Sequence, residues 1–366
     1  MTLLTPMLSA GTVALLLSTV IVATQRLHGH FTHDGQTGVQ KLHKAPTPRI
    51  GGVALLGGTV MGGTSLPDEA QDLWWLILLS GAPAFVFGLT EDLTKRVGVK
   101  TRLLATIIAG LIFCLASGYH INRLGIPGLD LMFGLWLPAV LFTAFAIGGI
   151  ANAINIIDGV NGLASGTSII ILSGFAILAW QVGDGPILGA CLVGIGALAG
   201  FFLMNFPMGK IFLGDAGAYA TGFVLAVVAV ALPMRNPDLS PLIGLLALSY
   251  PVIETMVSIH RRLVRSGTHP GQADRLHLHS LIYRSRALHL ARLFGAPNLR
   301  NAATGLIVMT LPLISCVLMV AFATNTALIL AAIAVILLVY LRVYRRVALL
   351  RRTDTDAERR VGTAGT

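Results

Sequence analysis

Acidic side chains that could hold a divalent cation occur at three places in this chain. Glu91 and Asp92 stand at the end of one apolar segment, Asp158 follows a second, and Asp215 precedes a third. Adjacent carboxylates can share a divalent metal, or one can act as a base while the other orients it. Asp215 lies between two small residues, where a ligand can come close and a hard cation would find oxygen. Solvated helix ends and helix capping are the structural alternatives.

Asparagines surround one of these acids. Asn152 and Asn155 are i, i+3 neighbours on one helix face, and they are followed by Asp158 and Asn161. So many hydrogen-bonding groups at the end of an apolar helix favour recognition of a nucleotide or a sugar.

The first polar loop combines basic residues with a rigid backbone. Lys41 and His43 precede the sequence Pro-Thr-Pro-Arg-Ile-Gly-Gly at 46–52, which contains Arg49. Two prolines fix an extended chain, and the glycine pair permits a tight turn into the next helix. Gathered positive charge of this kind suits a phosphate ligand. The alternative is that these residues belong to the usual excess of Lys and Arg in cytoplasmic loops of membrane proteins.

The last polar loop contains an alternating imidazole pair. In an extended segment His277 and His279 share one face, beside Arg275. Imidazoles and a guanidinium together suit a pyrophosphate. A zinc site is the other interpretation, but it lacks a clear third protein ligand.

The elements that must position these residues are transmembrane helices. Of the 366 residues, 55% are hydrophobic and only 11% are charged, which excludes an ordinary soluble domain. We predict an all-α polytopic membrane protein of about eleven spans, forming one catalytic domain over residues 1–345. The predicted spans are 5–25, 50–64, 73–90, 101–118, 132–151, 163–181, 186–204, 216–233, 240–259, 303–323 and 326–344.

The distribution of Lys and Arg predicts the orientation of these spans. Of 26 basic residues, all except Arg123 and Arg235 fall on one side of the predicted membrane. The positive-inside rule places that side in the cytoplasm, with the N-terminus outside and the C-terminus inside. Topology and attraction to anionic lipid explain the net charge of +10, so nucleic acid is not an expected partner. The predicted cytoplasmic segments are the loops 26–50, 91–102, 152–162, 205–215 and 260–302, and a basic, disordered tail at 346–366.

All three kinds of chemical group fall on this cytoplasmic side. Carboxylates for Mg²⁺, an asparagine-rich pocket, and His and Arg for phosphate together predict phosphoryl transfer at the membrane surface. In such reactions positioning and charge neutralisation do most of the catalysis.

Five motifs in order, from about Asp34 to Arg286, resemble those of the polyprenyl-phosphate N-acetylhexosamine-1-phosphate transferases, the MraY/WecA family of glycosyltransferase family 4. Each motif occupies a predicted cytoplasmic loop. The motifs are Lys-Leu-His (41–43) with Pro-Thr-Pro-Arg-Ile-Gly-Gly (46–52), Glu91-Asp92, Asn152 to Leu163, Phe212 to Gly217, and Asp274 to His279.

The resemblance implies a reaction. Such enzymes transfer a sugar 1-phosphate from a UDP-activated N-acetylamino sugar to undecaprenyl phosphate by attack on the β-phosphorus, in one in-line step or through a covalent aspartyl intermediate. UMP is released, and an undecaprenyl-diphospho-sugar stays in the bacterial inner membrane. We expect N-acetylglucosamine as the sugar, Mg²⁺ (alternatively Mn²⁺) as the cofactor, membrane lipids as partners, and leave a homodimer open. The arginine in 46–52 and the histidine pair favour enzymes that initiate O-antigen, capsule or related glycans over the muramoyl-pentapeptide branch.

The resemblance also implies residue roles. Asp215 would bind the metal, together with Asp92, and the pair Glu91-Asp92 would bind or deprotonate the lipid phosphate, with Asp158 as a further catalytic group. The other implied contacts are Asn152, Asn155, Asp158 and Asn205 with nucleotide or sugar, Arg275, His277 and His279 with the diphosphate, and Lys41, His43 and Arg49 with the lipid phosphate.

Two positions depart from the family pattern, and one acid suggests another class of protein. Glu91 replaces the usual first aspartate, and Ser280 stands where a further histidine is common. Glu254 lies inside a predicted span, as ionisable residues of secondary transporters and lipid flippases do. A single such residue is weak support for a translocation path, so the transferase remains our prediction.

Overall fold

The structure, a computed structural model, describes residues 4–33, 46–126, 128–264, 276–285, 292, 296 and 299–363, and the side chains of the last helix as far as Leu349. Within these ranges the regular secondary structure is helical, apart from one isolated bridge between His33 and Pro48. In chain order the helices are α1 (Thr5–Ala23), α2 (Gln25–Thr32), α3 (Gly51–Thr64), α4 (Asp68–Ser80), α5 (Ala82–Thr94), α6 (Val99–Ser117), α7 (Leu129–Phe133), α8 (Trp136–Ile157), α9 (Leu163–Val182), α10 (Gly185–Asn205), α11 (Gly214–Arg235), α12 (Ile243–Ala247), α13 (Ser249–Val264), α14 (Leu278–Ser285), α15 (Arg300–Ala321) and α16 (Thr326–Thr363).

Enough of these helices are long and apolar to confirm a polytopic membrane protein. Eight of the described helices could cross a bilayer, and α4 with α5 makes a ninth if this bent pair is one span. The predicted spans 50–64 and 240–259 correspond to the shorter α3 and to α12 with α13. The count of eleven and the orientation stay predictions, as does disorder of the tail, although the backbone of α16 continues to Thr363.

The third predicted span is broken. It bends by 45° between α4 and α5. Pro83, in the first turn of α5, has no N–H with which to continue the hydrogen bonding of α4. At the break, a Cβ on Gly81 would stand 2.9 Å from the ring of Phe223, so a small residue lets α5 approach α11. The sequence reads as a continuous apolar segment because Gly and Pro are tolerated inside membrane helices.

Helix α11 forms the centre of the bundle and carries Asp215 in its first turn. It is the most deeply buried of the candidate spans. Around it, glycines let helices approach closely: a Cβ on Gly196 of α10 would stand 2.1 Å from the carbonyl oxygen of Met7 in α1. Small residues at such contacts are typical of membrane helices, whose association depends on close packing. The first turn of α11 is therefore held by a rigid surround.

Candidate active site

Two loops that are far apart in the sequence lie side by side at the N-terminus of α11. The amide of Phe212 donates to the Pro48 carbonyl at 2.8 Å, and the amides of Gly51 and Gly52 donate to Phe212 and Leu213 at 3.0 Å each. Gly214 has a φ of 72°, and a Cβ there would stand 2.0 Å from the carbonyl oxygen of Arg49. Glycine is needed at that position for both reasons.

Asp92 fastens the end of α5 to the N-terminus of α11. Its side chain is completely buried. Its two carboxylate oxygens accept hydrogen bonds from the backbone amides of Asp215 and Ala216, each at 2.9 Å. A carboxylate at the positive end of a helix is favourable. Nε of Arg49 lies 3.2 Å from the same carboxylate and offsets part of the charge of Asp92.

Asp215 is the point where four other parts of the chain converge. Its Oδ1 accepts from Arg49 at 3.1 Å and from the amide nitrogen of Asn155 at 3.0 Å. Its Oδ2 accepts from Arg102, in the first turn of α6. Since Asp92 binds the backbone of the same residue, α5, α6, α8 and the first loop all meet at Asp215. The structure thus brings together Asp92, Asp215, Asn155 and Arg49, which the sequence had singled out separately.

Asp158 completes the acidic cluster and differs from the other two carboxylates. It ends α8 and is partly exposed, and among the described residues no hydrogen-bond donor contacts its carboxylate. Burial raises the pKa of Asp158 to about 7, against the lowering effect of Arg49. A carboxyl group in this condition is one that a cation beside it would ionise.

The two histidines of the last loop lie together at the start of α14. Their rings stack with centroids 5.5 Å apart and planes within 7° of parallel. His279 covers the backbone of Gly159, where a Cβ would stand 2.3 Å from its Nε2. The expected common face exists, although these residues begin a helix. The pair therefore borders the loop that carries Asp158.

Several predicted site residues use their polar atoms to hold the backbone. The side-chain amide of Asn152 donates to Thr106 and to the Gly148 carbonyl. Asn205 accepts from the Gly162 amide and donates to the Ile211 carbonyl. Glu91 accepts from the Val97 amide at 2.7 Å, which closes the loop after α5. These contacts position the loops. Direct contact of these side chains with substrate stays a prediction.

Three of the predicted site residues are outside the part of the chain that the structure describes. Lys41, His43 and Arg275 lie outside the described residues. Arg49 is described, and here it bridges two carboxylates. Arg102 is a component of the site that the sequence reasoning missed. The available signal was an arginine in the first turn of an apolar helix, where a charge is costly if it is buried without a partner.

The donor chemistry at this site fits a magnesium ion. Among the described residues, no group of three or more His, Cys, Asp or Glu side chains could hold a metal. Mg²⁺ seldom needs such a group, because it is usually bound by one or two carboxylates, substrate phosphates and water. Asp215 and Asp158 offer such oxygens. Arg49 and Arg102 already supply positive charge to Asp215, so a cation would have to share that carboxylate with them.

A large cavity of about 420 Å³ lies away from these polar groups, among α3, α4, α5, α10 and α11. Leu55, Trp74, Leu198 and Val224 are among its lining residues. Its wall is almost wholly apolar and suits a hydrocarbon chain, not a nucleotide. The polar chemistry therefore belongs to the carboxylate and arginine cluster.

Fold and site define a polytopic membrane protein with a carboxylate and arginine site at one end of its helices. A family model described as glycosyl transferase family 4 matches residues 74–233. The match covers less than half of the chain, and the chain resembles the MraY and WecA group of this family. The matched region contains Asp92, Asp158 and Asp215, and ends before Glu254 and the histidine pair.

Two similar proteins illustrate the range of the family. A probable undecaprenyl-phosphate N-acetylglucosaminyl 1-phosphate transferase of Bacillus subtilis (strain 168) is 31% identical over 242 residues, 66% of each chain. A phospho-N-acetylmuramoyl-pentapeptide-transferase of Streptococcus thermophilus (strain CNRZ 1066) is 35% identical over 215 residues, 53% of this chain and 61% of the relative. The chain thus aligns with slightly less than two thirds of the length of these relatives.

Proposed function

We propose that this protein transfers an N-acetylamino-sugar 1-phosphate from a UDP-sugar to undecaprenyl phosphate, the first membrane step of a cell-envelope glycan. The observation that carries the proposal is the convergence of Arg49, Arg102 and Asn155 on Asp215, with Asp92 bound to the Asp215 amide and Asp158 within electrostatic range of Arg49 and Asp92. Carboxylates and arginines gathered around one point are the parts that phosphoryl transfer requires. The names of the family relatives supply the substrate class.

In the proposed reaction an oxygen of the lipid phosphate forms a bond to the β-phosphorus of the UDP-sugar. The bond from that phosphorus to the bridging oxygen breaks, and UMP leaves with the bonding electrons. Arg49 and Arg102 bind the phosphate oxygens and stabilise their charge. Asn155 orients the donor, and Asp92 keeps the N-terminus of α11 in place. Mg²⁺, held by Asp215 and Asp158, would neutralise the diphosphate charge, with Mn²⁺ as a substitute.

N-acetylglucosamine is the sugar that we propose. The relative from Bacillus subtilis carries that sugar in its name. N-acetylgalactosamine, N-acetylfucosamine and N-acetylquinovosamine are the competing donors. We place the reaction at the cytoplasmic face of a bacterial inner membrane, because the Lys and Arg distribution assigns the loops of the site to that face.

The test is UMP release by the purified full-length protein with undecaprenyl phosphate, Mg²⁺ and a panel of UDP-amino sugars. We expect release with one donor, lost when lipid is omitted or EDTA is added, and restored by Mg²⁺. Asp215→Asn should lower turnover at least on the order of 100-fold, because one charged group at the reacting phosphates is lost.

The control for that variant is Asp68→Asn, an exposed acid at the first turn of α4. It removes the same charge from outside the site and should leave turnover unchanged. Folded protein that releases no UMP with any donor would contradict the proposal and return the transporter to consideration. Normal turnover of Asp215→Asn would remove Asp215 from the site.

A further inference from the structure

A buried acid outside the carboxylate cluster has an unusually complete set of donors. Glu254 of α13 is 1% exposed. Its Oε1 accepts from Nδ1 of His277 at 3.0 Å and from the Leu278 amide at 3.1 Å. Its Oε2 accepts from the Tyr340 hydroxyl at 2.7 Å. A buried carboxylate is costly unless it is hydrogen-bonded in this way. The contacts therefore explain how Glu254 is accommodated inside the protein.

These contacts determine which ring nitrogen of His277 carries the hydrogen. Three donors point at the two oxygens of Glu254, which leaves it as an ionised acceptor. Since a carboxylate only accepts, Nδ1 of His277 must carry hydrogen. Nε2 is then the ring nitrogen without hydrogen. A carboxylate behind an imidazole sets both its tautomer and its ring orientation.

The orientation of His277 is passed to the site through its neighbour. His279 stacks on His277 and covers Gly159, next to Asp158. Burial, together with the neighbouring His277, lowers the pKa of His279 to about 4, although Glu254 acts in the opposite direction. His279 is therefore neutral at physiological pH. It can donate a hydrogen bond to a phosphate, but it supplies no charge.

The last helix holds the other side of Glu254. Tyr340, which contacts it, belongs to α16 and is 1% exposed. One turn further along, the Tyr344 hydroxyl donates to the Leu276 carbonyl at 3.0 Å, and Arg261 of α13 donates to the same carbonyl at 3.1 Å. Leu276, the residue just before His277, is thus held by hydrogen bonds from both α13 and α16. The family match ends at residue 233, before all these residues.

We propose that Glu254 is a positioning residue for His277, and that Tyr340 of the last span holds Glu254 in that role. The network fixes Nδ1–H and the ring orientation of His277, and through the stacked rings it places His279 to donate a hydrogen bond to the diphosphate of the donor. The second half of the statement rests on the proposed function, since only that function brings a diphosphate to the histidines. The first half concerns the resting protein and is tested without substrate.

The substrate-free test is the ¹⁵N NMR spectrum of histidine-labelled full-length protein in bilayers. Among the Nδ1–H tautomer signals we expect one that disappears in His277→Gln, which assigns it. Glu254→Gln should shift that signal or convert it to the other tautomer, because an amide can turn its NH₂ toward Nδ1. An unchanged His277 signal in folded Glu254→Gln would overturn the proposal whatever the enzyme does.

The kinetic test uses UMP release by three variants. Glu254→Gln should lower kcat on the order of 10-fold to 100-fold, the range found for groups that orient metal-bound histidines. Glu254→Asp, which keeps the charge, should recover part of that loss. Tyr340→Phe removes one hydroxyl and should lower kcat by about threefold to tenfold. This variant replaces Glu254→Gln as the test if Glu254→Gln does not fold.

Tyr250→Phe is the matched control. Tyr250 is another buried tyrosine, on α13 itself, and its hydroxyl has no hydrogen-bond partner among the described residues. Loss of that hydroxyl should leave kcat and the His277 signal unchanged. Equal losses in Tyr340→Phe and Tyr250→Phe would overturn the role of Tyr340. If the His277 signal shifts in Glu254→Gln but the wild-type protein releases no UMP, the proposed function is contradicted and the positioning role of Glu254 stands.

Discussion

At the scale of single residues, Arg102 changes the picture of the site most. The sequence places it among ordinary cytoplasmic charges at the start of an apolar segment. In the structure it contacts the carboxylate of Asp215 and lies over the ring of Tyr219, 6.0 Å from its centre. Arg102 and Asp215 are 113 positions apart in the sequence, so no local pattern predicts their contact. Motif reasoning finds the acids, whereas their counter-charge depends on how α6 packs against α11.

Arg102→Lys should therefore lower transfer activity strongly. Lysine keeps the charge but presents a single ammonium group, which cannot reproduce the planar fork of a guanidinium. We expect kcat/KM for the UDP-sugar to fall on the order of 10-fold, the equivalent of one charge-assisted hydrogen bond. Arg96→Lys, an exposed residue of the same loop, is the control. Equal kinetics of the two variants would mean that Arg102 only balances charge.

Glu91 allows a cleaner separation of structure from catalysis. Its carboxylate accepts a hydrogen bond from the Val97 amide, and a glutamine can accept the same bond. If Glu91 closes the loop, Glu91→Gln should keep turnover within about twofold, while Glu91→Asp loses reach and costs about 1 kcal/mol of stability. UMP release and thermal unfolding measure the two effects. Loss of turnover in Glu91→Gln alone would instead show that the charge itself takes part in the reaction.

At the scale of elements, the far ends of α10 and α11 are joined by a charged clamp opposite the site. Arg235 donates to both oxygens of Asp184, at 2.8 and 3.1 Å, and Asn236 donates to the same carboxylate at 2.9 Å. Asp184 also caps α10 by accepting from the Ile187 amide. Burial acts to raise the pKa of Asp184, but these donors outweigh it and the pKa lies below its ordinary value.

Asp184→Asn should destabilise the bundle by about 1–3 kcal/mol, the cost of weakening hydrogen bonds to a charged group. Because the folded pKa is depressed, the stabilisation is present above the unfolded pKa of about 3.9 and is lost as the pH falls through the folded value. The difference in unfolding midpoint between wild type and variant should be constant from about pH 8 to 5 and shrink only in stronger acid. A difference that grows on acidification would contradict the assigned charge state.

Element boundaries show which parts of this fold are readable from sequence. Long apolar helices such as α8 and α10 follow from composition, because a membrane helix must be apolar over its whole length. The 45° bend between α4 and α5 does not, since Gly81 and Pro83 can also occur in a continuous span. Likewise, the motifs around Asp92 and Asp215 are readable, but the hydrogen bonds that join them are tertiary. Local pattern identifies the groups, and packing decides which of them meet.

At the scale of the whole molecule, the acids of the site lie at one end of the helices and the Asp184 clamp at the other. Asp92 is near the end of α5, Asp158 follows α8, and Asp215 begins α11. Asp184, in contrast, precedes α10 on the turn after α9. This polarity agrees with the division of the loops by charge.

The basic residues predict that the end carrying the site faces the cytoplasm, and single cysteines can test this. The native Cys114, Cys191 and Cys316 are buried, so a membrane-impermeant maleimide should hardly reach them. Lys100 and Asp238 are both exposed, at opposite ends of the helices, and each can be replaced by cysteine. In intact cells we expect label on Asp238→Cys and none on Lys100→Cys until the membrane is permeabilised. The reverse pattern would place the site outside, away from any cytoplasmic UDP-sugar, and would contradict both the orientation and the proposed reaction.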